Sequence, residues 1–199
     1  MPMRYFDLSE DVYIPGRWDL GKLVDPRGEE VWSWSLMRGE PADLEGQLSV
    51  PIRAAGKALD FCHAAFGIPV VNARVAAIFS ELAPRDVQLI PVEVGSQPDG
   101  YFVLNVTRVV KCIDDEASEE VQYWTLEDGI PEKVGRYCAV AGMRIDTSKV
   151  GNAKVFRTWG WHVALIVSED LKQALEGMGA SGMKFVEVTG SGPTASGGP

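Results

Sequence analysis

Eight carboxylates and no lysine or arginine fall between Cys112 and Glu132: Asp114, Asp115, Glu116, Glu119, Glu120, Glu127, Asp128 and Glu132. Side chains of this type could hold a cation, work as an acid–base pair, or create a local field. The run Asp114-Asp115-Glu116 is rich in oxygen ligands but lacks the alternating spacing and central glycine of a calcium loop. A hydrolase using two carboxylates in a cleft is an alternative, yet spacing alone picks no pair. The field is better supported. The chain carries a formal net charge of −9, and without this window the remainder is close to neutral. A concentrated acidic field suits the steering of a basic partner. Tyr123 and Trp124 lie inside the window, and aromatic rings can anchor an interface. A solvated acidic loop, with the interface elsewhere, is the competing reading.

The remaining reactive residues offer little. His63 and His162 are the only histidines. His162 falls in an apolar strand pattern, where a packed structural histidine is expected, and nothing pairs it with Cys62. Cys62 and His63 are neighbours in sequence, whereas a Cys/His nucleophile is assembled from distant segments. Cys112 reads as a small buried hydrophobe. There is no zinc-ligand spacing and no phosphate-binding glycine fingerprint. Catalytic, metal and cofactor sites are therefore all expected to be absent.

These residues need a scaffold, and residues 154–176, KVFRTWGWHVALIVSEDLKQALE, are its centre. Residues 155–158 read as a strand, Trp159-Gly160-Trp161 as a turn, and residues 162–167 as a β-branched strand. Ser168 stands at the helix N-cap position, with Glu169 and Asp170 in the first turn. Leu171, Ala174, Leu175 and Met178 share a helix face, and Gly177 and Gly179 end it.

Upstream, residues 5–8 form a short strand. Residues 12–39 are rich in Gly, Pro and Trp; if residues 31–36 are extended, Trp32, Trp34 and Leu36 share one side. That segment either packs its rings on the core or presents them to a partner. Residues 44–52 read as an edge strand because of Pro51, and residues 59–61 lead into a short helix or turn. Asn72 caps a helix running to Ala83, with Val75, Ile78, Phe79 and Leu82 on one face and Pro84 stopping it. Residues 87–94 and 101–113 form an antiparallel hairpin, the second strand placing Phe102, Leu104, Val106, Val110 and Cys112 on one face. Residues 121–124 read as a short strand or turn, and residues 137–145 and 184–188 as further strands. Residues 189–199 have almost nothing to bury and are expected to be disordered. No internal repeat is visible.

The expected fold class is α+β: a mostly antiparallel sheet with a few short helices packed on one face. Residues 1–188 form a single domain, in which residues 1–56 could be a semi-independent lobe. The acidic balance disfavours nucleic acid and anionic membrane partners. The N-terminus lacks the apolar stretch of a secretory signal, no apolar run is long enough to span a membrane, and three cysteines give no disulfide framework. A cytoplasmic location is expected.

The segment from Ile145-Asp146 through Phe156-Arg157, Val167-Ser168-Glu169 and residues 171–175 to Gly182 and Phe185 resembles the C-terminal signature of a family of bacterial immunity proteins. That family is associated with polymorphic toxins and type VI secretion effectors and is abundant in myxobacteria. The opening MRYFDLSEDVYIPGRWDLG and the run CIDDEASEEVQYWTLEDG are similar to its myxobacterial branch. The resemblance implies a non-catalytic protein that binds and neutralises a cognate toxin, encoded by an adjacent gene. Joined to the acidic window, it predicts a docking patch of Asp114, Asp115, Glu116, Glu119, Glu120, Tyr123, Trp124, Glu127 and Asp128 against a basic cleft such as that of a nuclease. A homodimer built on the Trp-rich N-terminal third is a further alternative.

Overall fold

A computed structural model describes residues 3–98 and 100–190. The tail expected to be disordered lies outside the described residues from position 191 onward. Among the described residues, fourteen strands and two α-helices follow one another along the chain. They begin with β1 (Tyr5–Glu10), β2 (Asp19–Leu20), β3 (Leu48–Val50), β4 (Ile52–Ala54), β5 (Phe61–Ala64) and β6 (Ile68–Asn72). Helix α1 (Ala73–Leu82) comes next, then β7 (Val87–Val94), β8 (Tyr101–Val106), β9 (Val109–Val110), β10 (Glu120–Tyr123) and β11 (Tyr137–Ala141). The chain closes with β12 (Val155–Thr158), β13 (Trp161–Ser168), α2 (Glu169–Gly177) and β14 (Met183–Glu187).

The α+β class holds, with two five-stranded sheets rather than one: β14-β1-β13-β12-β9 and β3-β7-β8-β6-β5. Both are mixed. Most neighbours are antiparallel, but the edge strands β9 and β3 run parallel to β12 and β7. Two small ribbons, β2-β4 and β10-β11, complete the set.

The two large sheets repeat one plan. A hairpin, β5-β6 or β12-β13, runs directly into a helix, and the strand after the helix returns two places away. The intervening place is filled by β8 in one sheet and by the N-terminal strand β1 in the other. The caps match this plan. Asn72 Oδ1 accepts the Val75 N–H at 3.0 Å, and Val75 and Phe79 are fully buried. Ser168 occupies the equivalent N-cap, and Leu171 and Leu175 are fully buried. Its hydroxyl, however, donates to the Asp170 carboxylate rather than accepting from the backbone. Asp170 in turn pairs with Lys154 at 2.5 Å.

Apolar side chains from both helices and from the inner faces of both sheets share one cluster, including Phe6, Phe61, Phe79, Leu104 and Leu165. The outer face of the β5-β6 sheet is covered by the N-terminal third, through Trp18, Leu20, Leu23, Val31 and Leu36. The outer face of the β12-β13 sheet carries Tyr5, Phe156 and Ile166 under Cys112, Ile145 and Val150. Each fully buried side chain of this size contributes roughly 1.5–3 kcal/mol, so each sheet is held on both faces.

Several local expectations are corrected. Residues 59–61 do not open a helix; Phe61 starts β5, paired with β6 from Phe61↔Val71 to Ala64↔Ile68. The run 101–113 is not one strand. It leaves the hairpin after Val106, and Val109–Val110 cross to the other sheet beside Arg157 and Thr158. Residues 33–36 form a 3-10 turn instead of an extended segment, so Leu36 is buried while Trp32 is 74% exposed.

Candidate partner-binding surface

The acidic window is built as a ribbon rooted in the core. Cys112 and Ile113 are buried, and Ile113 bridges Ile145. Asp114 then turns the chain: its Oδ1 accepts the N–H groups of Glu116 and Ala117 at 3.2 and 3.1 Å, and its carbonyl accepts the Ser118 hydroxyl at 2.6 Å. Strands β10 and β11 pair antiparallel, with a bulge between Gln122 and Tyr123. At the tip, Thr125 and Asp128 form a capping box around a 3-10 turn, which ends at Gly129 with φ of 71°. The Trp124 N–H donates to the Arg136 carbonyl, and the Gly135 N–H donates back to Trp124. Backbone bonds thus fix the ribbon to its tip.

The sequence-predicted residues divide into two groups. Asp114, Asp115 and Asp128 hold the ribbon together. Asp115 accepts from the hydroxyls of both Tyr123 and Tyr137, the latter at 2.6 Å, and the two rings stack with centroids 4.7 Å apart. The bond to Asp115 raises the Tyr123 phenol above its ordinary pKa, whereas for Tyr137 burial is the larger cause of the same upward shift. Asp128 is held below the usual carboxylate range, chiefly by the Thr125 N–H.

Glu116, Glu119, Glu120 and Glu127 are exposed. Among the described residues, no carboxylate of the window lies within 4.0 Å of a cationic group, while about half of the other described carboxylates do. Glu119 lies over Gly142, where a Cβ would come within 2.3 Å of its side chain.

Where the ribbon meets the N-terminal segment the chemistry differs. Trp124 is half-buried, with Lys133 Nζ 4.8 Å from its ring centroid. Arg136 sits 6.0 Å from the Trp34 ring, which also contacts His162 at 5.2 Å. Two adjoining cavities of about 240 and 410 Å³ run between the Trp32 and Trp34 segment and the ribbon, lined also by Gly160 and the first residues of β13. Lys133 and Arg136 were not among the residues expected at the site, and Trp32 and Trp34 were expected only as a separate patch, packed on the core or turned to a partner. The cations lie just beyond the acidic window, and their convergence with the N-terminal tryptophans is a tertiary fact. The available signal was Trp32 and Trp34 two positions apart.

The residues searched for catalysis are packed. Burial pushes the Cys62 and Cys112 thiols up to about 12, far from a reactive thiolate. Burial also pushes His63 down to about 4 and lowers His162, whose Nδ1 is 2.9 Å from the Met37 carbonyl. Among the described residues no group of three or more His, Cys, Asp or Glu is placed to hold a metal ion. No described helix is long and apolar enough to cross a membrane.

The model of the immunity protein family Imm11 matches residues 35–190. The chain belongs to the Imm11 family. No curated protein matches it. The Imm11 match spans both hairpin-helix-strand units and the whole acidic ribbon, and begins just after Trp32 and Trp34. The immunity family expected from the resemblance is therefore the family found. Membership brings a general role, toxin neutralisation, in a family that is generally non-catalytic.

Proposed function

We propose that this Imm11 protein neutralises a cognate toxin by direct contact, and that the exposed carboxylate edge of the β10-β11 ribbon steers the encounter. One observation carries the reading: the four exposed glutamates of the ribbon, its root and its tip, Glu116, Glu119, Glu120 and Glu127, have no cationic partner among the described residues, whereas acidic groups elsewhere are commonly paired. An unpaired acidic edge on an otherwise near-neutral body directs its field outward, where it raises association rates with a basic surface. A nuclease cleft, lined with cations for phosphate, is such a surface. Asp114, Asp115 and Asp128 serve the edge indirectly by fixing its backbone. Residues 1–188 act together as the binding unit in the cytoplasm, no catalytic step is involved, and the toxin is a type VI effector or a related polymorphic toxin encoded beside this gene.

The test is co-expression of the neighbouring effector with the wild-type chain and with a variant carrying Glu116→Lys, Glu119→Lys, Glu120→Lys and Glu127→Lys. Wild type should restore growth and co-purify with the effector, while the variant should protect poorly despite equal expression. Equal protection by both would remove the acidic edge from the account.

A further inference from the structure

The groove between the ribbon and the Trp32 and Trp34 segment has the reverse chemistry. Lys133 and Arg136 project along one wall, and neither has a carboxylate within 4.0 Å among the described residues. Glu132 also lines the outer cavity but stays beyond ion-pair range of both. Each cation lies against a tryptophan face, which fixes its position while leaving its donors free. Across from them stands Trp32, 74% exposed, and below lies Val163, 64% exposed. Large apolar side chains at such exposure around a concave, cation-walled site mark an interaction surface.

We propose that this groove captures an extended segment of the toxin in which a carboxylate is flanked by apolar side chains. The inference rests on the toxin-binding reading and adds the chemistry of the captured segment. The carboxylate meets Lys133 and Arg136, with the planar Arg136 guanidinium able to bind both oxygens. The flanking side chains fill the two cavities against Trp32 and Trp34. A second copy of this chain is a poorer occupant. The groove wall is the same ribbon that carries the acidic edge, so a symmetric contact would bring two such edges together between bodies of net charge −9. Steering and anchoring thus fall to different side chains of one ribbon.

Two probes test this. The first is an acetylated, amidated peptide alternating Asp or Glu with Phe and Leu, against its Asn/Gln counterpart, followed by tryptophan fluorescence and calorimetry on the full chain. The acidic peptide should bind about 10-fold more tightly than the amide peptide, and the variant Lys133→Glu/Arg136→Glu should abolish the difference. The second is the inactivated neighbouring effector. Trp32→Ala and the double charge reversal should each weaken binding by about 30-fold or more, while Lys133→Arg stays within about 3-fold of wild type. Trp32 is exposed, so its truncation leaves the fold intact, and equal melting temperatures verify this for every variant. Indistinguishable peptides, or effector binding unchanged in the groove variants, would overturn the inference while leaving the acidic edge standing. Selective capture of the acidic peptide with no binding of the effector would instead retain the groove chemistry and overturn its assignment to the toxin. A wild-type dimer in light scattering that Trp32→Ala dissolves would give the groove to a second copy.

Discussion

The β12-β13-α2 unit and the β10-β11 ribbon treat charge in opposite ways. In the first, charges are buried or paired: Arg157 is 1% exposed with Asp7 on β1 as its nearby opposite charge, and the partly exposed Lys154 pairs with Asp170. Arg4 ties the start of β1 to Glu169 and Glu187 at 3.1 and 2.7 Å. In the ribbon, hydrogen bonds close on the backbone and on Tyr123 and Tyr137, leaving the glutamates without a counter-charge. One region closes its charges within the fold, while the other leaves its glutamates open to solvent, as the proposed docking role requires. The two should therefore respond differently to substitution.

The sharpest separation is expected from Phe156→Ala. The ring is fully buried and packs edge-on against Tyr5 at 5.7 Å, so its loss should cost about 3–5 kcal/mol, or about 10 °C in melting temperature for a domain of this size. Toxin affinity per folded molecule should not change. A Phe156→Ala protein that melts normally but binds weakly would break the comparison.

Reversing Glu116, Glu119, Glu120 and Glu127 should do the opposite. Stability should move by no more than about 0.5 kcal/mol per site, while association with the toxin slows by roughly 10–100-fold at low salt. Thermal melts and stopped-flow kinetics on one preparation separate the two outcomes.

A pH titration probes the packed titratable groups outside the ribbon. Desolvation raises the Asp7 carboxyl to about 6, so its contribution to stability is lost as pH rises from the unfolded value near 4. Burial lowers His63 to about 4, so its contribution is lost as pH falls from about 6.5. The two slopes oppose each other between about pH 4 and 6. His63→Gln removes the rising contribution, so the slope of stability against pH should become more negative across that window than in wild type. The ribbon variants should leave the profile unchanged. A wild-type slope equal to that of His63→Gln would refute the assignment.

The smallest effect is expected at Tyr123→Phe. The hydroxyl bonded to Asp115 is lost, but Tyr137 still holds that carboxylate. Melting should shift by less than about 1 kcal/mol equivalent, and the ring stack should preserve binding. A loss of toxin affinity above 10-fold would make the hydroxyl a direct contact.

What could be read in the sequence follows the range of the interactions. The α1 helix was legible from Asn72 to Ala83 because cap, apolar spacing and Pro84 are all local. The 87–106 hairpin was legible from its turn. Trp32 and Trp34 misled, since an alternating pattern that suits a strand also fits a 3-10 turn. Val109–Val110 could not be placed in the second sheet, because their partners Arg157 and Thr158 lie far along the chain. The repeated hairpin-helix-strand plan was hidden for the same reason: its middle strand comes from the N-terminus in one sheet and from a hairpin in the other. At the site, the acidic edge was visible as composition. The groove was not, because Lys133 and Arg136 meet Trp34 only after folding.

The central claim is that the unpaired carboxylates of the ribbon act outward on a toxin. Its most direct test is the association rate constant with the neighbouring effector measured as ionic strength increases, for wild type and for the four-glutamate reversal. The wild-type rate should start high and fall steeply with salt, and the variant should start low and lose that dependence. Identical rates and identical salt slopes in the two proteins would contradict the account.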